Sequence, residues 1–342
     1  MPSAAGCVNI EEAESLLRYL RERRFVDRDE NPRFQILRGG VSNRTVLVRR
    51  MSGEDWVLKQ ALRKLRVAVD WFSAPERIHR EAKGLRWLGD VIPGHVPRYI
   101  FEDEQHHILG MTAVAQPHEN WKHALLSGRT SIEQAQSFGR LLARIHSAVE
   151  SNSGLRDEFA ERRFFEELRL EPYYGYTASQ VPEARDFLQR LTADTGSRRV
   201  ALVHGDYSPK NVLVYKGRLM LLDHEVIHFG DPAFDVGFSL AHFLGKALHL
   251  PRHRADFLGM ARAYWRRYSG ALSSQMVEAV CSRAARHTLA CMLARVAGRS
   301  PLEYLDSDER RRMQQIALRL IHQDLDDLEQ LFDEYERNLA QA

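Results

Sequence analysis

The chain is 342 residues long and 44% hydrophobic, enough for a sizeable core in one large or two modest domains. Lys and Arg total 49 against 46 for Asp and Glu, a formal net charge of +3, and this near balance argues against a nucleic-acid partner. The opening residues lack a basic run followed by an apolar one, and no apolar stretch approaches a membrane span, so neither a secretory signal nor a membrane partner is expected.

Asn9 and Glu12 read as a capping box opening a helix that runs to about Arg24, with Ala13, Leu16, Leu17 and Leu20 on its apolar side. Short strands are expected at 34–37, 45–49 and 56–60. Gly39-Gly40 separates the first two, and Met51-Ser52-Gly53-Glu54-Asp55 reads as a hairpin turn before the third. Residues 75–89 read as a helix with Ile78, Ala82, Leu85 and Leu88 on one face. Strands at 99–102 and 107–111 flank an acidic turn. This small sheet with one inserted helix is assigned to residues 1–112.

Helical periods dominate residues 113–342: 132–150, 157–170, 183–194, 234–248, 254–268, 273–296 and 307–337. Strands at 201–203, 212–215 and 219–222 interrupt them, with Gly217 turning the last pair. No repeat or low-complexity segment is visible, and the charge-rich run from Asp324 to Glu336 reads as a solvated helix face. Cys7, Cys281 and Cys291 form no CxxC pair and no metal spacing, as expected of free thiols in a reducing cytoplasm.

The stretch Leu37-Arg38-Gly39-Gly40-Val41-Ser42-Asn43-Arg44-Thr45 joins two predicted strands. Glycines there let backbone N–H groups approach phosphate oxygens, which makes Gly39, Gly40, Ser42 and Asn43 nucleotide candidates. Gly-Gly between strands is otherwise just a turn. The sequence has no GxxxxGK[ST] run, which excludes a Walker-type site, and no GxGxxG between strand and helix, which argues against a dinucleotide site. Lys59 stands among apolar strand residues and wants an anion if buried. A phosphate of ATP and mid-helix Glu81 would supply it; Glu76 sits in the first helical turn, where the dipole explains an acidic residue. By itself Lys59 would read as an edge-strand lysine reaching water. Met111 and Ala113 lie on the connector out of the sheet, where backbone groups could meet adenine.

An apolar strand then delivers His204-Gly205-Asp206, followed by Tyr207-Ser208-Pro209-Lys210-Asn211, and a second apolar strand ends in Asp223-His224-Glu225. Phosphoryl transfer needs a carboxylate to orient and deprotonate a hydroxyl and oxygen ligands for the Mg2+ that carries ATP. Asp206 fits the first role, Asn211 and Asp223 the second, and Glu225 is a candidate for a further metal. His204 reads as a buttress of the loop, and Lys210 as either a phosphate or acceptor contact or a solvent-facing lysine. Asp231 before Pro232 suits a turn, and Asp235 a helix cap; both read as supports.

From about Phe34 to Leu244 these residues resemble the aminoglycoside phosphotransferase and choline kinase family. The resemblance implies an α+β, bilobal protein-kinase-like fold with a small antiparallel-sheet N-lobe and a larger, mainly helical C-lobe. It also implies an ATP- and Mg2+-dependent kinase acting on a small-molecule hydroxyl, with Asp235 tying down the catalytic loop. Val57-Leu58-Lys59-Gln60-Ala61-Leu62, Leu65-Arg66-Val67, Trp71, Arg77-x-x-x-Glu81 and Asp223-x-Glu225 look like methylthioribose kinase. The catalytic loop departs, because those kinases generally carry Ser where this chain has Asn211.

For the acceptor, His118, Glu119, Asn120, Trp121 and Tyr207 are candidates, together with Arg283, Arg286, Arg295 and Arg299. These arginines read first as a solvated helix face, and secondly as a pointer to a neutral or anionic acceptor rather than a polycationic aminoglycoside. A sugar, nucleoside or amino alcohol is expected, in a monomer or homodimer. Methylthioribose kinase and aminoglycoside phosphotransferase are the enzymatic alternatives, and a nucleotide-binding pseudokinase the non-enzymatic one. A protein kinase is disfavoured because Asp-Phe-Gly and Ala-Pro-Glu are absent and Gly205 stands where that class has Arg.

Overall fold

The computed structural model describes residues 8–51, 53–67, 70–323, 325 and 327–340. The expected turn at Ser52, the thiol of Cys7 and the start of the charged run at Asp324 lie outside the described residues.

The N-terminal part holds α1 (Ala13–Glu22), β1 (Arg33–Ile36), β2 (Asn43–Arg49), β3 (Trp56–Ala61), α2 (Arg77–Val91), β4 (Tyr99–Asp103) and β5 (Ile108–Thr112). The strands form one antiparallel sheet in the order β1-β2-β3-β5-β4. Strand periodicity sorts β3 between two cores. Trp56 and Leu58 join Leu16, Tyr19 and Leu20 of α1 on one face. Ala61 joins Ile78, Ala82, Leu85 and Leu88 of α2 on the other. Lys59 shares that second parity, so α2 is the helix its side chain meets.

The C-terminal part continues with β6 (His118–Asn120), α3 (Trp121–Leu126), α4 (Ile132–Ser151), α5 (Leu155–Glu158) and α6 (Arg163–Phe165). A π-helical stretch over Glu166–Gly175 follows, then α7 (Tyr176–Gln180), α8 (Arg185–Ser197), β7 (Ala201–Val203), β8 (Val212–Tyr215), β9 (Arg218–Leu221) and β10 (His228–Gly230). It closes with α9 (Pro232–His249), α10 (Arg254–Ser269), α11 (Ser274–Ala297), α12 (Ser307–Leu320) and α13 (Leu328–Ala340). The antiparallel pair β7–β10 and the sheet β6-β8-β9 lie among these helices, and β8 turns into β9 at Lys216 and Gly217, both with positive φ. Phe138, Phe234, Phe238, Phe243 and Tyr264 are wholly buried in one continuous core. Cys291 is a buried free thiol, and no helix among the described residues is long and apolar enough to cross a membrane.

Several expectations need correction. Asn9 and Glu12 do pair, Nδ2 to Oε1 at 2.6 Å, but they form a turn ahead of a helix that starts at Ala13 with no side-chain cap. The expected helix over 157–170 breaks after Glu158, and its second half is wound wider, with Pro172 inside. A proline has no N–H to continue the i to i−4 ladder, which suits the looser winding. The expected helix over 307–337 is two helices, α12 and α13. Asp306 and Glu309 cap the first reciprocally, and Leu328, Leu331, Phe332, Tyr335 and Leu339 bury one face of the second. The short elements β6, α3 and β10 carry too few residues to show a period.

Candidate active site

The β7 strand ends at Val203 and the chain turns sharply through His204, Gly205 and Asp206. Gly205 has φ +78, and a Cβ there would meet Val226 Cγ2 at 2.9 Å and Val226 O at 3.1 Å, so the turn admits only glycine without displacement. Asp235, buried in the first turn of α9, accepts from His204 N at 2.7 Å and Gly205 N at 2.8 Å. It fastens the loop from below, as expected, but the cap of α9 belongs to Asp231, which accepts from Ala233 N at 3.1 Å. Asp231 also pairs with Arg283 and with His287 Nε2.

Histidine 204 is a buttress whose tautomer follows from its neighbours. Its Nδ1 accepts from Asp206 N at 3.2 Å, so Nε2 carries the proton and donates to His224 Nδ1 at 3.1 Å. Burial lowers the pKa of both rings, which keeps them neutral.

Three side chains converge on one oxygen of Asp206. Asn211 Nδ2 donates to Oδ2 at 2.7 Å, Arg169 Nη2 lies 2.7 Å from it and Lys210 Nζ 3.1 Å. The other oxygen, Oδ1, is buried and has no partner. Burial pushes the Asp206 carboxyl up, but Arg169 and Lys210 outweigh it and hold the group below the ordinary carboxylate range. Arg169 is fixed in turn by Gly205 O at 3.0 Å and Leu168 O at 2.7 Å. Sequence reasoning did not single out Arg169: it sits 37 positions before Asp206, in the segment whose winding departs from the α-helical period.

Across from this loop, Lys59 Nζ lies 2.6 Å from Glu81 Oε1 and 2.9 Å from Asp223 Oδ1. Glu81 is thus the partner, and Glu76 is not. Burial would lower the Lys59 pKa, but Asp223 and Glu81 overcome it and keep the amine charged, while Lys59 helps hold Asp223 well below the carboxylate range against burial. Asp223 has φ +67, a left-handed conformation uncommon for a non-glycine residue. Carboxylate oxygens of Glu81, Asp223 and Glu225 come within 4.8 Å of one another. Glu81 Oε2 is buried without a partner. Such hard oxygen donors suit Mg2+. Asn211 follows them on the backbone, its O accepting from Leu222 N at 2.9 Å; with its amide nitrogen spent on Asp206, its Oδ1 is the atom left for a metal.

Arg77, wholly buried, joins the turn before β2 to this cluster. Its Nε donates to Glu225 Oε2 at 3.1 Å, Nη2 to Leu62 O at 2.8 Å and to Ser42 O, and Nη1 to Ser73 O and Ala74 O, each at 3.1 Å. Asn43 Nδ2 donates to Ser42 Oγ at 3.1 Å and Glu225 Oε2 at 3.4 Å, so its side chain faces the carboxylates. Gly39 has φ +114, and a Cβ there would meet nothing within 4 Å, which leaves the backbone of the glycine turn uncovered. Met111 is buried in β5 opposite Val57 and Tyr99. Ala113 N donates to Asp55 O at 2.8 Å, so of its backbone groups only the carbonyl remains for a base.

The acceptor candidates scatter. Trp121 is fully buried against Phe138 and Phe243, and Tyr207 stacks on Phe138 at 4.0 Å while its hydroxyl donates to Phe138 O. Neither offers a ring face to a ligand. Asn120 donates to Lys210 O at 2.7 Å and so braces the Asp206 loop, whereas Glu119 pairs with Arg129. The solvated-face reading of the late arginines fails for Arg283 and Arg295, which are buried; Arg299 is half-buried and bonds Glu171.

Residues 33–271 match the phosphotransferase enzyme family. The methylthioribose kinase of Yersinia pseudotuberculosis serotype O:1b (strain IP 31758) is 24% identical over 221 residues, covering 57% of this chain and 54% of that protein. The chain thus spans about half the length of the curated relatives it matches. Among solved structures, the amicoumacin kinase hAmiN in complex with AMP-PNP, Ca2+ and Ami superposes with a TM-score of 0.58 at 13% identity, over 90% of this chain and 96% of that one. A Plasmodium vivax ethanolamine kinase gives 0.57 at 12% identity, over 93% of each. At these identities the likeness concerns the fold.

Proposed function

The chain belongs to the phosphotransferase enzyme family, and we propose that it transfers the γ-phosphate of ATP to a hydroxyl of a small molecule. The observation that carries this reading is the asymmetry of Asp206: every donor sits on Oδ2, and the buried Oδ1 is left to accept a hydroxyl proton. Arg169 and Lys210 keep the carboxylate ionised, so it is ready as a base at neutral pH. The acceptor O–H proton passes to Oδ1, the freed oxygen bonds the γ-phosphorus, and the bond from that phosphorus to the bridging oxygen breaks to release ADP.

Residues 1–112 serve the nucleotide in this proposal, and residues 113–342 the acceptor. Lys59, positioned by Glu81, meets a phosphate, and the open backbone of Gly39 and Gly40 covers others, with Ser42 and Asn43 shaping the end of that turn. Met111 and Ala113 border the adenine side. Asn211, Asp223 and Glu225 would hold Mg2+, which supplies neutralisation of charge on the transferring phosphate. The chain's own contribution is placement and fixed dipoles. The name of the curated relatives, methylthioribose kinase, supports the reaction class, while Asn211 in the catalytic loop departs from the pattern of those enzymes. The cytoplasmic setting expected from the cysteines belongs to the same proposal.

The test is ADP production from ATP and Mg2+ against a panel of methylthioribose, pentoses, nucleosides, amino alcohols, hydroxy acids and aminoglycosides. Turnover with one acceptor class, lost in Asp206→Asn, supports the reading. AMP-PNP binding with no turnover across the panel favours the pseudokinase alternative, and absence of nucleotide binding ends the proposal.

A further inference from the structure

On the helical side of the Asp206 loop lies a group of buried hydrogen-bond donors with no matching acceptors. Lys246, in the last turns of α9, is wholly buried, and its ammonium has one hydrogen bond, to His242 O at 3.2 Å. Among the described residues no carboxylate pairs with it. One helical turn earlier, His242 Nε2 accepts from Arg295 Nη2 at 3.0 Å. Arginine has no acceptor, so the neutral ring carries its proton on Nδ1, and that buried atom has no partner. The Arg295 guanidinium is wedged between Tyr173 and Phe238, its Cζ 5.2 Å and 5.1 Å from their ring centroids, and its Nε is likewise unpartnered. Tyr304, whose ring lies 5.3 Å from Lys246 Nζ, has a buried hydroxyl without a partner. Lys122 stands at the solvent side, paired with Glu303, the carboxylate that faces this group.

Arg295 Nη1 does find acceptors in Ser300 O at 2.7 Å and Oγ at 3.2 Å, but an apolar interior does not strand a lysine ammonium, an arginine Nε and an imidazole N–H together without a reason. Burial first, then Lys122 and Arg295, push Lys246 down to about 7 against the opposing charge of Glu303. A bound anion reverses both effects, since it accepts the orphaned donors and neutralises the excess charge. Arg295 acts electrostatically on Asp206, and Lys210, which touches Asp206, acts on His242, so the cluster borders the reaction centre.

We infer that the phosphate acceptor carries an anionic group, a carboxylate or a phosphate, that docks on Lys246, Arg295 and His242 with Lys122 at the entrance. The inference rests on the kinase reading and narrows it to anionic alcohols, such as hydroxy acids or sugar phosphates.

Calorimetric titration with inorganic phosphate and, separately, with malonate tests the inference and distinguishes the two anions. Each is run on the full chain with and without saturating AMP-PNP and Mg2+, so that phosphate occupying the nucleotide site is recognised. The expected result is binding of at least one anion in the presence of AMP-PNP, weakened roughly tenfold or more in Lys246→Met, the size expected for loss of a charge-assisted hydrogen bond. Lys122→Gln, at the solvent side, serves if Lys246→Met does not fold, with an expected loss of roughly threefold from an outer charge. Absence of anion binding to the native protein, or equal binding by the native and variant proteins, overturns the inference. AMP-PNP that fails to bind while the anion still does sinks the kinase reading and leaves the anion site standing.

Discussion

Arg77 on α2 reaches Glu225, two residues beyond Asp223, Nε to Oε2 at 3.1 Å, while the same guanidinium holds the carbonyls of Ser42 and Leu62. One wholly buried fork therefore sets the glycine turn, the end of β3 and a candidate metal carboxylate relative to one another. Arginine suits this place because a lysine could not present five donors in a fixed plane.

Replacement of Arg77 by Met should leave Glu225 buried without its cationic partner, with the 3.4 Å contact from Asn43 Nδ2 remaining. A stability loss of about 3–5 kcal/mol is expected from breaking a buried pair on one side. The more specific outcome is a rise of roughly tenfold or more in the Mg2+ concentration for half-maximal rate, the scale found when a group orienting a metal ligand is removed. Mn2+ affinity measured by electron paramagnetic resonance checks it in the absence of turnover. An unchanged Mn2+ affinity in a folded variant would remove Glu225 from the metal site.

Asp206→Asn should lower kcat by about 10²–10⁴, the usual range for a general base, while AMP-PNP binds as before. The acceptor proton goes to Oδ1 in this reading, because that is the carboxylate oxygen of the loop left without a partner. Fluorescence or calorimetric titration with AMP-PNP beside initial rates separates the two effects.

Arg169→Met removes the strongest of the cations that hold Asp206 low. Burial then dominates and raises the carboxyl pKa. The acid limb of the kcat/KM profile should move to higher pH, with activity at pH 8 less affected than at pH 6, and Arg169→Lys should restore part of the shift. A variant that loses activity equally at every pH would show Arg169 to be a scaffold residue only.

Five wholly buried histidines, His204, His224, His228, His242 and His287, have pKa values lowered first of all by burial, His228 to about 3. Between its folded value and the ordinary value near 6.5, each binds a proton only when the chain unfolds. Stability should therefore fall as pH drops below about 6.5, by up to about 1.4 kcal/mol per pH unit for each ring that stays neutral. Melting temperatures from pH 7.5 to 5 check this. His228→Phe, which retains the stacking against Phe165, should reduce the steepness by about one proton.

The sequence by itself determined the parts whose signal is local. The apolar neighbours of Lys59 marked it as wanting an anion, the spacing of Asp206, Asn211 and Asp223 between two apolar strands marked the candidate reaction centre, and α2 showed its apolar stripe with mid-helix Glu81 as the lysine's partner. A repeated period or a short loop constrains neighbours along the chain, so such features survive being read without coordinates. Tertiary structure decided which distant charges meet. The side chains of Arg169, Arg77, Arg295 and Lys246 lie far in sequence from most of what they touch, and an arginine on a helix looks the same in sequence whether it faces water or a buried carboxylate. Trp121 and Tyr207 illustrate the converse: an aromatic beside polar residues suggested a ligand face, but the core claimed both rings because Phe138 packs against each of them, and Phe243 against Trp121, from other helices. Burial and charge pairing depend on what the fold brings up from elsewhere, and that is written in the packing of the whole chain rather than in any segment of it.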